Sequence, residues 1–256
     1  MTDNNSTKPA RWRIILDTVS ALAMTVAAIV VTALGVRLLW APASGAAQGG
    51  NEAPLPKTPV RLEGAAIKGR TDAPLVLLEY SDFQCPVCRR FAVDVLPTVE
   101  SRYLASGKVE FAFRHFPLQQ IHEHAMAAAK AAECARQQGK FWPMHDLLFA
   151  DQERLNAEHL TERANRLGLD LQAFGSCVES KAEAAVAQDI AAGRALELHG
   201  TPTIFIGLND QIRGARLIKR FSGMPPLEQL TVAIDEALRS ILPSQDRSPT
   251  STPNSK

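Results

Sequence analysis

Runs of apolar residues along the middle of the chain predict its secondary structure. The run LVLLEY (75–80) is typical of a buried strand. Residues 86–104 carry apolar side chains at helical spacing, with Pro97 inside the helix as a kink and Gly107 ending it. The alternation in KVEFAFRHF (108–116) predicts a second strand.

A long alanine-rich stretch follows this second strand. Its apolar spacing predicts helix over most of residues 121–198. The C-terminal part then predicts strands at TPTIFIG (201–207) and RLIKRFSG (216–223), a turn between them at Asn209 and Asp210, and an amphipathic helix over 226–242. This order of elements indicates an α/β fold with a helical insertion.

An uncharged apolar run lies near the N-terminus. Its nineteen residues, TVSALAMTVAAIVVTALGV (18–36), cover about 29 Å as a helix, close to the hydrocarbon thickness of a bilayer. Trp12 and Trp40 flank the run, and basic residues precede it, so we expect the N-terminus to stay in the cytoplasm. We interpret residues 14–40 as a single uncleaved transmembrane helix. A signal peptide cleaved at APASGAA (41–47) is the alternative.

Composition divides the rest of the chain. Residues 41–62 are predicted to be a flexible linker that is rich in Pro and Gly. Nine of the last fourteen residues, 243–256, are Pro, Ser or Thr. This segment cannot bury enough apolar surface to fold, so it is predicted to be a disordered tail. Residues 1–13 remain as a cytoplasmic N-terminus. The folded domain therefore covers 63–242, and its helical insertion covers about 118–198.

The overall charge narrows the class of partner. The 256 residues have a net charge of +1 and no cluster of Lys and Arg, so no nucleic-acid partner is expected. Either interpretation of the apolar run places the folded domain outside the cytoplasm, where disulfides form. The four cysteines must therefore be judged by their positions.

Two of these cysteines, Cys85 and Cys88, lie where the first strand gives way to a helix. Pro86 suits the first helical position, so Cys85 is placed as the N-cap, where the helix dipole favours a thiolate. Arg89 and Arg90 add positive charge. We predict that Cys85 is an exposed, acidic attacking thiol and that Cys88 is the covered resolving thiol.

Other uses of the pair fit the sequence less well. A zinc site needs four ligands, and the remaining cysteines, Cys134 and Cys177, are solitary and 43 positions apart. A purely structural bridge between Cys85 and Cys88 would close a very small ring and restrain the unfolded chain little. No metal or other cofactor is therefore expected.

Four segments together resemble the exported DsbA-type thiol–disulfide oxidoreductases of the thioredoxin superfamily. They are APLVLLEYSDFQCPVCRRF (73–91), FRHFPL (113–118), AECARQQGKFWPMHDLLFA (132–150) and HGTPTIFIG (199–207). The resemblance covers residues 70–242 and implies a thioredoxin-like fold with an inserted helical domain, preceded here by the single transmembrane helix.

The resemblance also implies roles for particular residues. Cys85 would be the nucleophile, Cys88 the resolving thiol and Pro202 a cis-proline beside them, which leaves the backbone of Thr201 free to pair with an extended substrate. An ordinary turn is the alternative for the Gly-Thr-Pro sequence. Glu79 lies where the family often carries an acid. If it is buried, it could take the proton of Cys88, whereas a solvated glutamate at the strand end is the alternative.

The remaining candidates are a disulfide and several histidines. Cys134 and Cys177 lie on different predicted helices, and a bridge between them is favoured over two buried free thiols. His199 could favour a thiolate when protonated, but a loop histidine without a redox role is the preferred interpretation. The other histidines near these motifs are interpreted as packing or surface residues: His115, His122, His124 and His145.

These features predict a membrane-anchored periplasmic enzyme that introduces disulfides into reduced exported proteins and is reoxidised by a membrane-embedded redox partner. By the same resemblance, a threonine before the cis-proline, here Thr201, is found in family members that reduce or isomerise disulfides. The dipeptide Pro86-Val87 between the cysteines also departs from that of the best-known oxidase. A reductase or isomerase is therefore an alternative. A non-catalytic chaperone or a copper-handling module is a further one.

Overall fold

The computed structural model describes residues 54–210 and 214–241. This part of the chain contains a five-stranded sheet in the order β1-β3-β2-β4-β5. Strands β2 and β3 are parallel, and the other neighbouring pairs are antiparallel. The strands are β1 (Ala66–Lys68), β2 (Leu75–Ser81), β3 (Val109–His115), β4 (Thr203–Asp210) and β5 (Gly214–Ser222).

A continuous helical segment connects β2 to β3, as the sequence predicts. It consists of α1 (Pro86–Arg90), a π-helical turn (Phe91–Val95), α2 (Leu96–Val99) and a second π-helical turn (Glu100–Leu104). The first π-helical turn lies just before Pro97, which has no N–H to donate. The N–H of Leu96 bonds to the carbonyl of Phe91, so the wider turn keeps the helix continuous past the proline.

Five helices form the insertion between β3 and β4, and one more follows β5. Side-chain caps fix two helix starts, because Asn156 accepts from the N–H of His159 and Asp170 accepts from that of Ala173. The helices are α3 (Ala125–Gln137), α4 (Phe141–Ala150), α5 (Ala157–Arg166), α6 (Leu171–Ser180), α7 (Ala182–Ala195) and α8 (Leu227–Ile241). They confirm the predicted helical block and the predicted last helix.

Two local predictions differ from the structure. Strand β1 was not predicted from the pattern, because only three residues take part in it. The turn predicted at Asn209 and Asp210 is wrong, because both residues belong to β4. The side-chain amide of Asn209 donates to the carbonyls of Thr71 and Ala73 at 2.9 and 2.8 Å, so tertiary contacts hold this turn-forming residue in a strand.

The core lies on both faces of the sheet. Leu75 and Leu77 of β2 pack with the helical segment 86–104 and with α8. Val76, Leu78 and Tyr80 point to the opposite face, where they pack with residues of β4 and β5. A third cluster fills the helical insertion and extends to Cys85 and Cys88, so the cysteine pair lies where the insertion meets the sheet.

The predicted membrane helix, residues 14–40, lies outside the described residues, as do the N-terminus 1–13 and the tail 243–256. The part of the linker at 41–53 also lies outside them. Within residues 54–210 and 214–241, no helix is long and apolar enough to cross a membrane.

Candidate active site

The two cysteines lie at the start of the helical segment that follows β2. Cys85 is the N-cap of α1 in an extended conformation, and Pro86 takes the first helical position. The N–H of Cys85 donates to the carbonyl of Asp82 at 3.1 Å, and its own carbonyl accepts from the N–H of Arg89 at 3.1 Å. Both cysteines are free thiols in the structure. The predicted position of the pair is therefore correct.

The burial of the pair differs in part from the prediction. Cys88 is completely buried, as expected of a resolving thiol. Cys85 was predicted to be exposed, but only 5% of its surface is accessible. The reason is tertiary, because the loop that precedes β4 lies against its sulfur. The Cys85 thiol donates to the carbonyl oxygen of Thr201 at 3.4 Å.

The surroundings of the two sulfurs shift their pKa values in opposite directions. The pKa of Cys85 is lowered to about 5. The largest cause is a hydrogen bond from the Cys88 thiol, and the backbone N–H of Cys88, the side chain of Thr201 and the backbone N–H of Val87 add to it against the opposing effect of burial. The pKa of Cys88 is raised well above its ordinary value, first by burial and then by its bond to Cys85 and the charge of Glu79. Cys85 is therefore the thiol that ionises.

The sequence suggested that Arg89 and Arg90 favour the Cys85 thiolate by their charge, but Arg89 makes a different contact in the structure. The guanidinium of Arg89 donates to the carbonyl of Phe149 in the helical insertion, at 3.0 Å. Arg89 therefore ties α1 to the insertion. Hydrogen bonds, rather than the basic side chains, account for the acidity of Cys85.

The loop before β4 has the backbone that the resemblance implies. The peptide bond between Thr201 and Pro202 is cis. The carbonyl of Pro202 accepts from the N–H of Gly223 at 2.8 Å, which ties this loop to the end of β5. His199, on the same loop, is exposed and lines a surface pocket with Phe116.

Glu79 lies inside the protein near the two sulfurs. Its side chain is completely buried, and neither carboxylate oxygen has a hydrogen-bond partner. Burial raises its pKa to about 8, with the hydroxyl of Ser81 opposing this effect and the charge of Cys85 adding to it. The alternative of a solvated glutamate is therefore wrong. Near pH 7 Glu79 is mostly a neutral acid.

The comparisons with known proteins agree with this geometry. The family model described as thioredoxin matches residues 62–224. The solved structure of alpha-DsbA1 from Wolbachia pipientis is 26% identical and superimposes with a TM-score of 0.60, covering 74% of this chain and 96% of that one. This chain is a DsbA-like member of the thioredoxin superfamily. It has a thioredoxin-like fold with a helical insertion.

Other relatives of this DsbA-like protein differ in length. A thioredoxin-like oxidoreductase from Silicibacter pomeroyi is 28% identical with a TM-score of 0.57, covering 69% of this chain and 94% of that one. The Na(+)/H(+) antiporter NhaA 3 of Salinispora tropica is 35% identical over 183 residues, which are 71% of this chain but 26% of the antiporter. The chain thus spans about a quarter of the length of the curated relatives it matches.

Two polar side chains of this DsbA-like site were not singled out from the sequence. The carboxylate of Asp82 accepts from the N–H groups of Gln84 and Leu118 and meets Nδ1 of His122, each at 2.8 Å. The side-chain oxygen of Gln84 in turn accepts from the N–H of His124 at 2.7 Å. Together they fasten the loop after β3 to the residues that lead into Cys85.

Gln152 reaches the same residues from the helical insertion. Its side-chain amide donates to the carbonyls of Phe83 and Cys85 at 2.8 and 3.0 Å. Asp82 precedes Cys85 by three residues, and its acidic side chain was a visible signal in the motif. Gln152 lies 67 residues away, in a loop between α4 and α5, and no local pattern marks it.

The other two cysteines form a disulfide in the structure. Cys134 and Cys177 are joined with an S–S distance of 2.06 Å, which links α3 to α6. This is the pairing that the sequence favours over two free thiols. This disulfide belongs to the helical insertion of the DsbA-like domain, whereas Cys85 and Cys88 lie at the start of α1.

Proposed function

We propose that this protein oxidises pairs of thiols in exported proteins, with the disulfide between Cys85 and Cys88 as the group that takes up the electrons. The observation that carries the proposal is the unequal placement of the two thiols. Cys85 is the N-cap of α1 and its pKa is lowered to about 5, whereas Cys88 is completely buried and its pKa is raised. A thiolate that is stabilised in the reduced protein makes reduction of the disulfide favourable, so the disulfide is readily transferred to a substrate.

The reaction follows from which sulfur can leave and which can be reached. A substrate thiolate attacks the sulfur of Cys85, the S–S bond to Cys88 breaks, and a mixed disulfide forms between Cys85 and the substrate. A second substrate thiolate then attacks the substrate sulfur of that mixed disulfide. The substrate leaves as a disulfide, and Cys85 is released as the thiolate. Two electrons pass from the substrate to the enzyme.

Glu79 supplies the proton that this exchange requires. When Cys88 leaves, its thiolate forms in a completely buried position, where a charge is costly. A neutral Glu79 carboxyl can protonate it, and the carboxylate can take the proton back when the enzyme is reoxidised. The backbone of Thr201, already in contact with Cys85, would align an extended substrate beside the sulfur.

We also propose that residues 14–40 anchor the protein in the inner membrane, with the domain at 63–242 in the periplasm. The apolar run and the basic residues before it support this topology. A tethered domain would stay near a membrane-embedded redox partner that removes its electrons. Reduced exported proteins would be its substrates.

A reductase or isomerase is the second candidate, and Thr201 is the residue that favours it. The test is to unfold the oxidised and the reduced protein in denaturant near pH 7 and to equilibrate the pair with glutathione. An oxidase should be less stable when oxidised and should have a potential less negative than about −180 mV. An oxidised form more stable by about 1 kcal/mol or more, beyond the usual denatured-state effects, would favour the reductase.

A further inference from the structure

The face of β2 that points toward Cys88 carries two polar side chains. Side chains alternate along a strand, so Glu79 and Ser81 share a face with Leu75 and Leu77. Those two leucines pack against the helical segment 86–104, which contains Cys88. Glu79 and Ser81 therefore point toward the element that carries the resolving thiol.

Ser81 has no visible structural reason for its hydroxyl. The residue is 1% exposed, and its Oγ has no hydrogen-bond partner. A buried hydroxyl without a partner has lost its hydrogen bonds to water and gained none in return, so it calls for an explanation. Both carboxylate oxygens of Glu79 are unpartnered in the same way. Three polar oxygens without partners thus lie on one buried strand face.

The hydroxyl of Ser81 acts on both of its ionisable neighbours. It lowers the pKa of Glu79 and that of Cys88, in each case against the larger effect of burial. The strand geometry agrees with these effects, because alternation places Ser81 on the same buried face as Glu79, toward the helical segment that contains Cys88.

We propose that the Ser81 hydroxyl relays the proton between the Glu79 carboxyl and the Cys88 sulfur. This inference rests on the proposed function of Glu79 and adds the path that the proton takes. When the S–S bond breaks, the Cys88 thiolate takes the hydroxyl proton of Ser81. Ser81 takes the carboxyl proton of Glu79 in the same step. The carboxylate then holds the negative charge that the substrate thiolate brought in.

A hydroxyl suits this relay because it donates one proton and accepts another at the same oxygen. Its transfer leaves Ser81 unchanged, so the relay works in both directions of the redox cycle. Hydrogen bonds of this kind are often long before the reacting complex forms and shorten within it. The unpartnered oxygens of the dithiol structure agree with such a site.

The experiment measures one turnover of the oxidised full-length protein with a dithiol peptide, quenched with acid at successive times. Rates are divided by the fraction of peptide thiolate at each pH. In the wild type this corrected rate should fall as pH rises through the pKa of Glu79, which burial raises. Ser81→Ala should lower the rate near pH 7 about 10-fold and abolish this fall. Ser81→Thr, which keeps the hydroxyl, should restore both.

Glu79→Gln separates the two proposals. We expect Glu79→Gln to be slow and the double variant with Ser81→Ala to be no slower, because both changes interrupt one path. If Glu79→Gln is slow while Ser81→Ala reacts like the wild type, or if the two losses multiply, the relay is wrong and Glu79 keeps its role. If Glu79→Gln reacts at the wild-type rate, the proposed role of Glu79 fails and the relay fails with it.

Discussion

The thiol of Cys85 lies 3.4 Å from the carbonyl oxygen of Thr201, a residue 116 positions further along the chain. This contact places the loop before β4 over the reactive sulfur and accounts for its low exposure. An incoming substrate must therefore approach Cys85 alongside the backbone of Thr201. The same contact joins the start of α1 to the loop before β4, next to the sulfur of Cys85.

The unequal burial of the two cysteines predicts which variant traps substrates. Cys88→Ser should accumulate mixed disulfides at Cys85, because the resolving thiol is missing. Cys85→Ser should trap nothing, since Cys88 is completely buried and keeps its proton. Non-reducing gels and mass spectrometry of the adducts measure this, with the double variant as the blank. Equal trapping by the two single variants would show that the assignment is wrong.

The acidity of Cys85 predicts how the stability of the reduced protein depends on pH. Because folding lowers this pKa to about 5, the thiolate contributes stability that is fully present above the unfolded pKa, about 8.5. The contribution is lost as pH falls through about 5. It should amount to a few kcal/mol. Denaturant unfolding of the reduced protein against Cys85→Ala between these pH values measures it. A difference independent of pH would contradict the lowered pKa.

The raised pKa of Glu79 predicts that stability changes with pH in the opposite direction. Folding raises its pKa to about 8, so its contribution is most favourable below the unfolded pKa, about 4.3, and is lost as pH rises through about 8. Glu79→Gln should therefore gain stability relative to the wild type as pH increases. Measurements on the oxidised forms remove the titration of the cysteines. A gain that shrinks as pH rises would contradict the prediction.

The hydrogen bonds of Asp82 predict that replacing this residue destabilises the protein. Asp82→Ala removes a buried carboxylate and leaves the part-buried N–H groups of Gln84 and Leu118 without their acceptor, so the free energy of unfolding should fall by about 2 kcal/mol. Asp72→Ala is the control, because its ion pair with Arg70 is exposed and should contribute much less to stability. Equal losses in the two variants would contradict the role of Asp82.

The disulfide of the helical insertion predicts a second cost. Replacing both Cys134 and Cys177 by Ala should lower the free energy of unfolding by about 4 kcal/mol on chain-entropy grounds. Peptides from the unreduced protein should contain Cys134 joined to Cys177 by mass spectrometry. Free, alkylatable thiols at both positions in protein from the oxidising compartment would contradict this pairing.

The proposed anchor predicts the location of the protein in cells. The chain should pellet with membranes, and a reporter fused after Lys256 should be active outside the cytoplasm. Replacing residues 14–40 with a cleavable signal sequence should release the domain in soluble form. A natural soluble species that begins near residue 44 would instead support the signal-peptide alternative.

Much of the fold could be predicted from local patterns. Alternation and helical spacing are set by whether each side chain must face the core, so they indicated β2, the segment 86–104 and the last helix. The position of Cys85 at a helix start followed from Pro86 in the same way. The resemblance supplied the family and the cis bond at Pro202, which no local pattern requires.

The acidities, the burial and the supporting contacts of the site depended on the tertiary structure. Cys85 is covered because Thr201 is brought against it, and Gln152 reaches its carbonyl from another part of the chain. The sequence by itself determined which residues carry thiols and where their helix begins, since these depend on near neighbours. Only the packing of distant segments decided that Glu79 and Ser81 are buried on the strand face that points toward the segment containing Cys88, because burial is a property of the whole fold.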